Sequence, residues 1–249
     1  VAVDLTTIQK GGSKRPPIML LYGSSGIGKS SFAASAPNPI FIRTEDGLGA
    51  LEVDTFPEAT NLQDVTDALA ALYEPNEYKT VVIDSLSQLE PMILERVAQD
   101  HGKSSPADLG YGKEFLFALD YWREIIAACK GLANQGKNIV LIAHAEVVTF
   151  QSPETDPYDR FQPRLHKRAF AYVAEQSDIV AFASYPVHVR KGSDDKKGRG
   201  IATGERQLAL VERPSMVAKN RYSMPETVSL LWDAVAEHLP NNNAKGAEA

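Results

Sequence analysis

Apolar positions along the chain fall into two rhythms. Unbroken apolar runs occupy Pro17–Tyr22, Ile40–Arg43, Lys79–Asp84, Asn138–His144 and Asp178–Ala183, each closed by a polar or turn-forming residue. Runs of this length without alternation predict strands buried on both faces, as in a parallel sheet. Between them, apolar residues recur at helical spacing: Leu62, Val65, Leu69 and Leu72 in one segment, then Phe115, Leu119, Trp122, Ile126, Cys129 and Ala133 in a longer one from Tyr111. Lys29–Ser35, Leu86–His101, Leu165–Glu175 and residues 226–239 complete the helical set, and Pro91 predicts a kink or a later start in the second of these.

Strands and helices alternating in this way predict an α/β fold with a mostly parallel central sheet flanked by helices. Two regions break the pattern. Residues 145–163 hold Pro153, Pro157 and Pro163 with no periodicity, and read as a mobile loop. After residue 185 the short runs Val187–Arg190, Arg206–Val211 and Met216–Lys219 predict a β-rich, hairpin-like extension over about residues 185–222, with residues 192–200 as a hairpin tip or a disordered loop. Residues 1–15 are polar and read as a flexible arm, residues 16–239 as a single domain, and residues 240–249 as a disordered tail.

The first apolar run empties into Gly23-Ser-Ser-Gly-Ile-Gly-Lys-Ser30, which fits the phosphate-loop pattern G-x-x-x-x-G-K-[ST] through Gly23, Gly28, Lys29 and Ser30. Glycines at Gly23, Gly26 and Gly28 remove side chains, so that backbone N–H groups of Ser24, Ser25, Ile27, Lys29, Ser30 and Ser31 can converge on a triphosphate. The helix beginning at Lys29 adds its positive end to the same anion. Lys29 then reaches the β- and γ-phosphates as a catalytic cation, and the Ser30 hydroxyl is a ligand to Mg²⁺. The third run closes on Asp84, the pattern by which a buried strand delivers one carboxylate to the Mg²⁺ shell, here through a bound water. ATP and Mg²⁺ are the cofactors this pattern predicts.

Composition narrows the setting. The chain has 249 residues, 43% of them apolar, one cysteine (Cys129) and five histidines without short ligand spacing. An internal disulfide and a cysteine-cluster zinc site are therefore excluded, and a metal held by protein ligands alone is not expected. No apolar run approaches the ~18 residues of a membrane span, and residues 1–15 lack the apolar core of a signal peptide, so no membrane partner and a cytoplasmic location are expected. The net charge of −6 conceals an asymmetry: residues 1–157 carry 12 basic and 21 acidic side chains, whereas residues 158–222 carry 13 basic and 7 acidic. A basic segment of this kind suits single-stranded DNA, with Arg160, Arg164, Lys167 and Arg168 as phosphate contacts and Tyr158, Phe161 and Phe170 as stacking platforms. It would equally arise from a solvated charged face.

The ordered set GSSGIGKSS (23–31), IFIRTEDGL (40–48), TVVIDSLSQL (80–89), IVLIAHAE (139–146), LHKR (165–168) and VAKNRY (217–222) resembles the RecA-like branch of P-loop ATPases. Within that branch it is similar to a phage ATP-binding family related to single-strand annealing recombinases, over roughly residues 15–235. The resemblance implies a RecA-like P-loop NTPase core that hydrolyses ATP at subunit interfaces of a ring or filament of identical chains. It implies that Glu45 is the carboxylate orienting the attacking water, and that His144 senses the γ-phosphate, where relatives usually carry glutamine. It implies that Lys219 and Arg221 contact a neighbouring subunit's nucleotide. The aromatic residue that stacks on adenine beyond the catalytic carboxylate in RecA has no counterpart between Glu45 and Val53. A replicative-helicase-like motor and a KaiC-like nucleotide-switched ATPase without DNA binding are the alternative readings of the same core.

Overall fold

In the computed structural model, which describes residues 15–190, 199–202 and 204–240, the apolar runs lie side by side as the middle of one sheet. They are β1 (Ile18–Gly23), β2 (Pro39–Arg43), β4 (Thr80–Asp84), β5 (Asn138–Phe150) and β7 (Ile179–Ser184). The short β3 (Asp54–Thr55) closes one edge, giving the parallel order β7-β1-β5-β4-β2-β3. On the other edge β10 (Gln207–Ala209) pairs antiparallel with β7, and β12 (Thr227–Ser229) with β10. The fold is thus α/β with a mostly parallel central sheet between helices, as the alternation predicts.

Because side chains alternate across a strand, each buried strand feeds two cores. Ile18, Leu20 and Tyr22 of β1 join one apolar cluster, and Met19 and Leu21 join the other. The first cluster is covered by α2 (Leu62–Ala71), α3 (Leu86–Asp100), α4 (Lys113–Asn134) and α5 (Lys167–Gln176); the second by α1 (Lys29–Ala34) and α6 (Trp232–Ala236). The long stripe of α4 ends inside the first core, with Trp122, Ile126, Cys129 and Ala133 fully buried. Trp122→Ala would cost about 3–5 kcal/mol. No helix of the described residues is long and apolar enough to cross a membrane.

Four expectations are corrected. Residues 145–163 are not a structureless loop: β5 runs on to Phe150 and pairs antiparallel with β6 (Tyr158–Pro163). Cross-strand contacts hold this ribbon, including Thr149 Oγ1 donating to Asp159 Oδ1 at 2.8 Å and the tilted Phe150 and Tyr158 rings 5.5 Å apart. The prolines fall where a ribbon tolerates them, Pro153 and Pro157 in its turn and Pro163 at its last residue. α3 begins at Leu86 and continues through Pro91, so of the two readings of that proline it is the later start that is corrected. Residues 226–239 divide into β12 and a helix of five residues, so the amphipathic pattern there is shared between a strand and a short helix. The run from Met216 contributes only β11 (Lys219–Asn220), antiparallel to the start of β7. The expected hairpin pairing is present as β8 (Val187–Arg190) with β9 (Arg199–Ala202), while its tip, the N-terminal arm up to residue 14 and the tail from residue 241 lie outside the described residues.

Candidate nucleotide site

β1, β4 and the first half of β5 are parallel and in register, so Gly23 and Asp84 at their strand ends and His144, where β5 leaves the parallel sheet, come to one edge. This edge is where an open parallel sheet binds its ligand. The loop from Gly23 to Gly28 turns there into α1, with Gly26 at φ 76° and Gly28 at φ 104°, a region that favours glycine. Gly26 has nothing within 4 Å of where a Cβ would stand, whereas a Cβ on Gly23 would lie 2.6 Å from the Ala183 carbonyl. Gly23 is therefore required by packing against β7, and the open side of the loop is at Gly26.

A cavity of about 430 Å³ opens over the loop, walled by Lys29, Ser30, Ser31, Glu45, Asp84 and His144, among others. Lys29 is 6% exposed and folds back, its Nζ donating to the carbonyls of Gly23 (3.1 Å) and Ser24 (2.9 Å). Burial pushes its pKa below the ordinary value against the pull of Asp84 and Glu45, which leaves an ammonium under-solvated and ready for an anion. Ser30 Oγ donates to Asp84 Oδ2 at 2.6 Å. Burial also holds the Asp84 carboxyl above its ordinary range, a shift that the Ser30 hydrogen bond and the Lys29 charge only partly offset.

The Ser30–Asp84 pair fits Mg²⁺: two hard oxygens, one of them a carboxylate that makes no ion pair among the described residues. Among the described residues no cluster of His, Cys, Asp and Glu could hold a metal alone, so the ion would complete its shell with phosphate oxygens and water. When bound, it would neutralise charge on the phosphates and on Asp84.

Glu45 and His144, read separately from the sequence, meet here. His144 Nε2 lies 2.9 Å from Glu45 Oε1, and its Nδ1 lies 3.3 Å from Ser25 Oγ in the phosphate loop. In the tautomer protonated on Nε2, His144 donates to Glu45 and accepts from Ser25. Burial pushes the Glu45 carboxyl up, but Ser85, His144 and the Lys29 charge together outweigh it, and its pKa falls below the ordinary value. Glu45 is therefore an ionised carboxylate at neutral pH, held in place beside the loop. Thr44 fixes the strand end that carries it, its Oγ1 donating to the Ser85 carbonyl and accepting from Ser85 N, both at 2.8 Å.

Sequence reasoning missed two participants. Arg206, just before β10, donates from Nη1 to the Ile27 carbonyl at 3.2 Å and lines the same cavity. Ser87 joins the end of β5 to the segment that opens α5: its Oγ accepts from His144 N at 3.0 Å and donates to the Arg164 carbonyl at 3.1 Å. Ser87 lies within the quoted stretch 80–89 and Arg206 opens the run read as a strand, but no spacing signals a role for either in the site.

A family model for an AAA domain matches residues 15–222. The chain belongs to this AAA domain family. A curated relative, an uncharacterized SPbeta prophage-derived protein of Bacillus subtilis (strain 168), is 23% identical over 174 residues, covering 67% of this chain. The chain spans about half the length of that relative, 50% of it. Among solved structures, the RadB recombinase is 12% identical, covering 82% of this chain and 86% of its own at a TM-score of 0.47. Flagellar accessory protein FlaH from Methanocaldococcus jannaschii is 11% identical, covering 80% and 78% at a TM-score of 0.39.

The remaining sequence candidates lie away from the cavity. Lys219 Nζ donates to the carbonyls of Ala174 (2.8 Å) and Glu175 (3.1 Å) at the end of α5. Arg221 donates to the Glu175 carbonyl and to Asp178 Oδ1, both at 3.2 Å. The two cations share one target although Arg221 lies just beyond β11, and that target is a helix C-terminus of their own chain. Arg160 lies 3.9 Å over the Phe150 ring and 3.7 Å from Glu212. Arg164, Lys167 and Arg168 are exposed around the start of α5. Of the stacking candidates, Tyr158 packs on Phe150, Phe170 on the first core, and Phe161 on Phe182, leaving Phe161 40% exposed.

Proposed function

We propose that the chain hydrolyses ATP with Mg²⁺ and couples that reaction to single-stranded DNA within a self-assembling, phage-type recombination or annealing machine. The observation that carries the hydrolytic reading is the Glu45–His144–Ser25 bridge standing beside Lys29 and the Ser30–Asp84 pair. Lys29 leaves the loop carbonyls for phosphate oxygens, and the loop N–H groups hold the same anion. Glu45, already ionised, accepts a hydrogen bond from the attacking water and orients it. His144 keeps that carboxylate in place and meets the phosphate loop through Ser25. Ser30 and Asp84 would hold the ion.

DNA coupling is supported by a short route out of the site. Besides the Ser87 bridge, Arg164 N donates to the His144 carbonyl at 2.8 Å, so backbone shifts at His144 reach the basic residues that open α5. Arg164, Lys167 and Arg168 would neutralise phosphates there, with an affinity falling by a slope of about −0.7 per phosphate against salt on logarithmic axes. A nucleotide switch without DNA is favoured by a different observation. The ribbon beside the site carries Glu146, Glu154, Asp156 and Asp159, and its Arg160 is engaged by Phe150 and Glu212. ATP turnover with and without single-stranded DNA separates the two. Stimulation that is lost in the Arg164→Ala/Lys167→Ala/Arg168→Ala variant supports DNA coupling; unchanged turnover with no mobility shift at low salt leaves the switch.

A further inference from the structure

We propose that Arg206 is a nucleotide-binding residue, which brings a cation from the C-terminal part of the chain to a phosphate that ATP and ADP share. The inference rests on the ATP reading above. Arg206 is the residue before β10, whose strand is pinned between β7 and β12, and its carbonyl accepts from Leu230 N at 3.0 Å. Its guanidinium lies directly on the phosphate loop. A Cβ on Gly28 would stand 2.4 Å from Nη1, so Gly28 serves a left-handed turn and also makes room for this arginine.

Among the described residues, Arg206 differs from three other arginines of the C-terminal half in having no anionic partner. Arg160, Arg213 and Arg221 each have a carboxylate within 4.0 Å, at Glu212, Glu226 and Asp178. Among the described residues Arg206 has none, and its hydrogen bond to the Ile27 carbonyl uses one of five N–H donors. A guanidinium with spare donors, facing a cavity already walled by Lys29, is suited to a phosphate oxygen.

The contact points of the loop indicate which phosphate. Ser25 meets His144, whose other ring nitrogen meets Glu45, and on the hydrolytic reading this places the reacting γ-phosphate at that part of the loop. Arg206 touches Ile27 and Gly28 further along, and shares the cavity wall with Ser31, Leu48 and Leu51. It therefore faces the inner phosphates. Contact with these would tie nucleotide occupancy to the antiparallel edge of the sheet.

Equilibrium titration of the full chain with ATP and with ADP, in the presence of Mg²⁺, tests this on wild type, Arg206→Ala, Arg206→Lys and Lys29→Ala. Arg206→Ala is expected to weaken both nucleotides by the same factor, about tenfold, with Arg206→Lys recovering part of the loss. Turnover at saturating ATP stays within about threefold, so the loss appears in KM and not in kcat. Unchanged affinity in Arg206→Ala, or a loss confined to ATP, overturns the inference. Equal nucleotide affinity in wild type and Lys29→Ala overturns the ATP reading itself, which distinguishes the two failures. Should Arg206→Ala unfold, Arg206→Gln takes its place: an equal loss of affinity for both nucleotides upholds the inference, and wild-type affinity for both overturns it.

Discussion

Two aspartates are buried at opposite ends of the parallel sheet, Asp84 at the carboxyl end of β4 and Asp178 just before β7, 6% and 2% exposed. Their surroundings differ. Asp178 accepts from Ile18 N at 3.0 Å and pairs with both Arg15 and Arg221. Asp84 has one hydroxyl partner, Ser30, and among the described residues no ion pair. Burying an uncompensated carboxylate is costly, and a protein retains one where a ligand supplies the missing charge. On the proposed reading, Asp178 carries charge that holds the fold and Asp84 charge that awaits a cation and a phosphate.

The largest effect should come from the ligand end. Lys29→Ala is expected to lower ATP turnover by at least about 10³-fold, because on the proposed reading the ammonium stabilises charge that develops on the transferring phosphoryl group. Steady-state hydrolysis assays check this, and wild-type turnover would remove the basis for the comparison. Glu45→Gln should lower turnover by about 10²-fold or more while leaving ATP binding within a few-fold, seen as nucleotide trapped on the protein. Its carboxylate is held below the ordinary pKa, so its contribution to stability is present above the unfolded value and disappears as pH falls.

At the structural end the order reverses. Asp178→Asn should cost about 3 kcal/mol in denaturant unfolding, since it leaves Arg15 and Arg221 without their anion, yet nucleotide affinity should stay within about twofold. Arg221→Ala is smaller still: the side chain is 52% exposed and its loss should cost under about 1 kcal/mol and leave turnover within about twofold. A 10³-fold loss of turnover instead, partly restored by mixing with Lys29→Ala subunits, would establish the in-trans contact that the family resemblance implies.

The ligand end is the more legible of the two in the sequence. Unbroken apolar runs identify strands that are buried on both faces, and a parallel sheet then brings their last residues together, so Gly23, Asp84 and His144 can be placed from the pattern alone. The pairing of His144 with Glu45 is not readable, because it depends on which strands are neighbours: β2 and β5 both flank β4. Lys219 and Arg221 are legible as a pair with one target, but a carbonyl at a helix end and a neighbour's phosphate attract the same cations. The ribbon at 145–163 is hidden by prolines that occupy its turn and its end, positions that a composition-based reading cannot tell from a loop. Arg206 leaves no trace, since nothing in the spacing of residues 204–209 indicates that β10 returns to the phosphate loop.

The most direct test is the unfolding free energy of Asp84→Asn against wild type, with and without Mg²⁺-ATP. Burial raises the Asp84 pKa above its ordinary 3.8, so its contribution favours folding at low pH and is lost as pH rises through the folded value. Removing the charge should therefore stabilise the nucleotide-free protein at pH 7 by about 1 kcal/mol, and the gain should fade toward pH 4. The same variant should lose most of the stabilisation that Mg²⁺-ATP gives wild type. A variant less stable than wild type without nucleotide, yet equally stabilised by Mg²⁺-ATP, would show that Asp84 serves the fold as Asp178 does and would contradict the account.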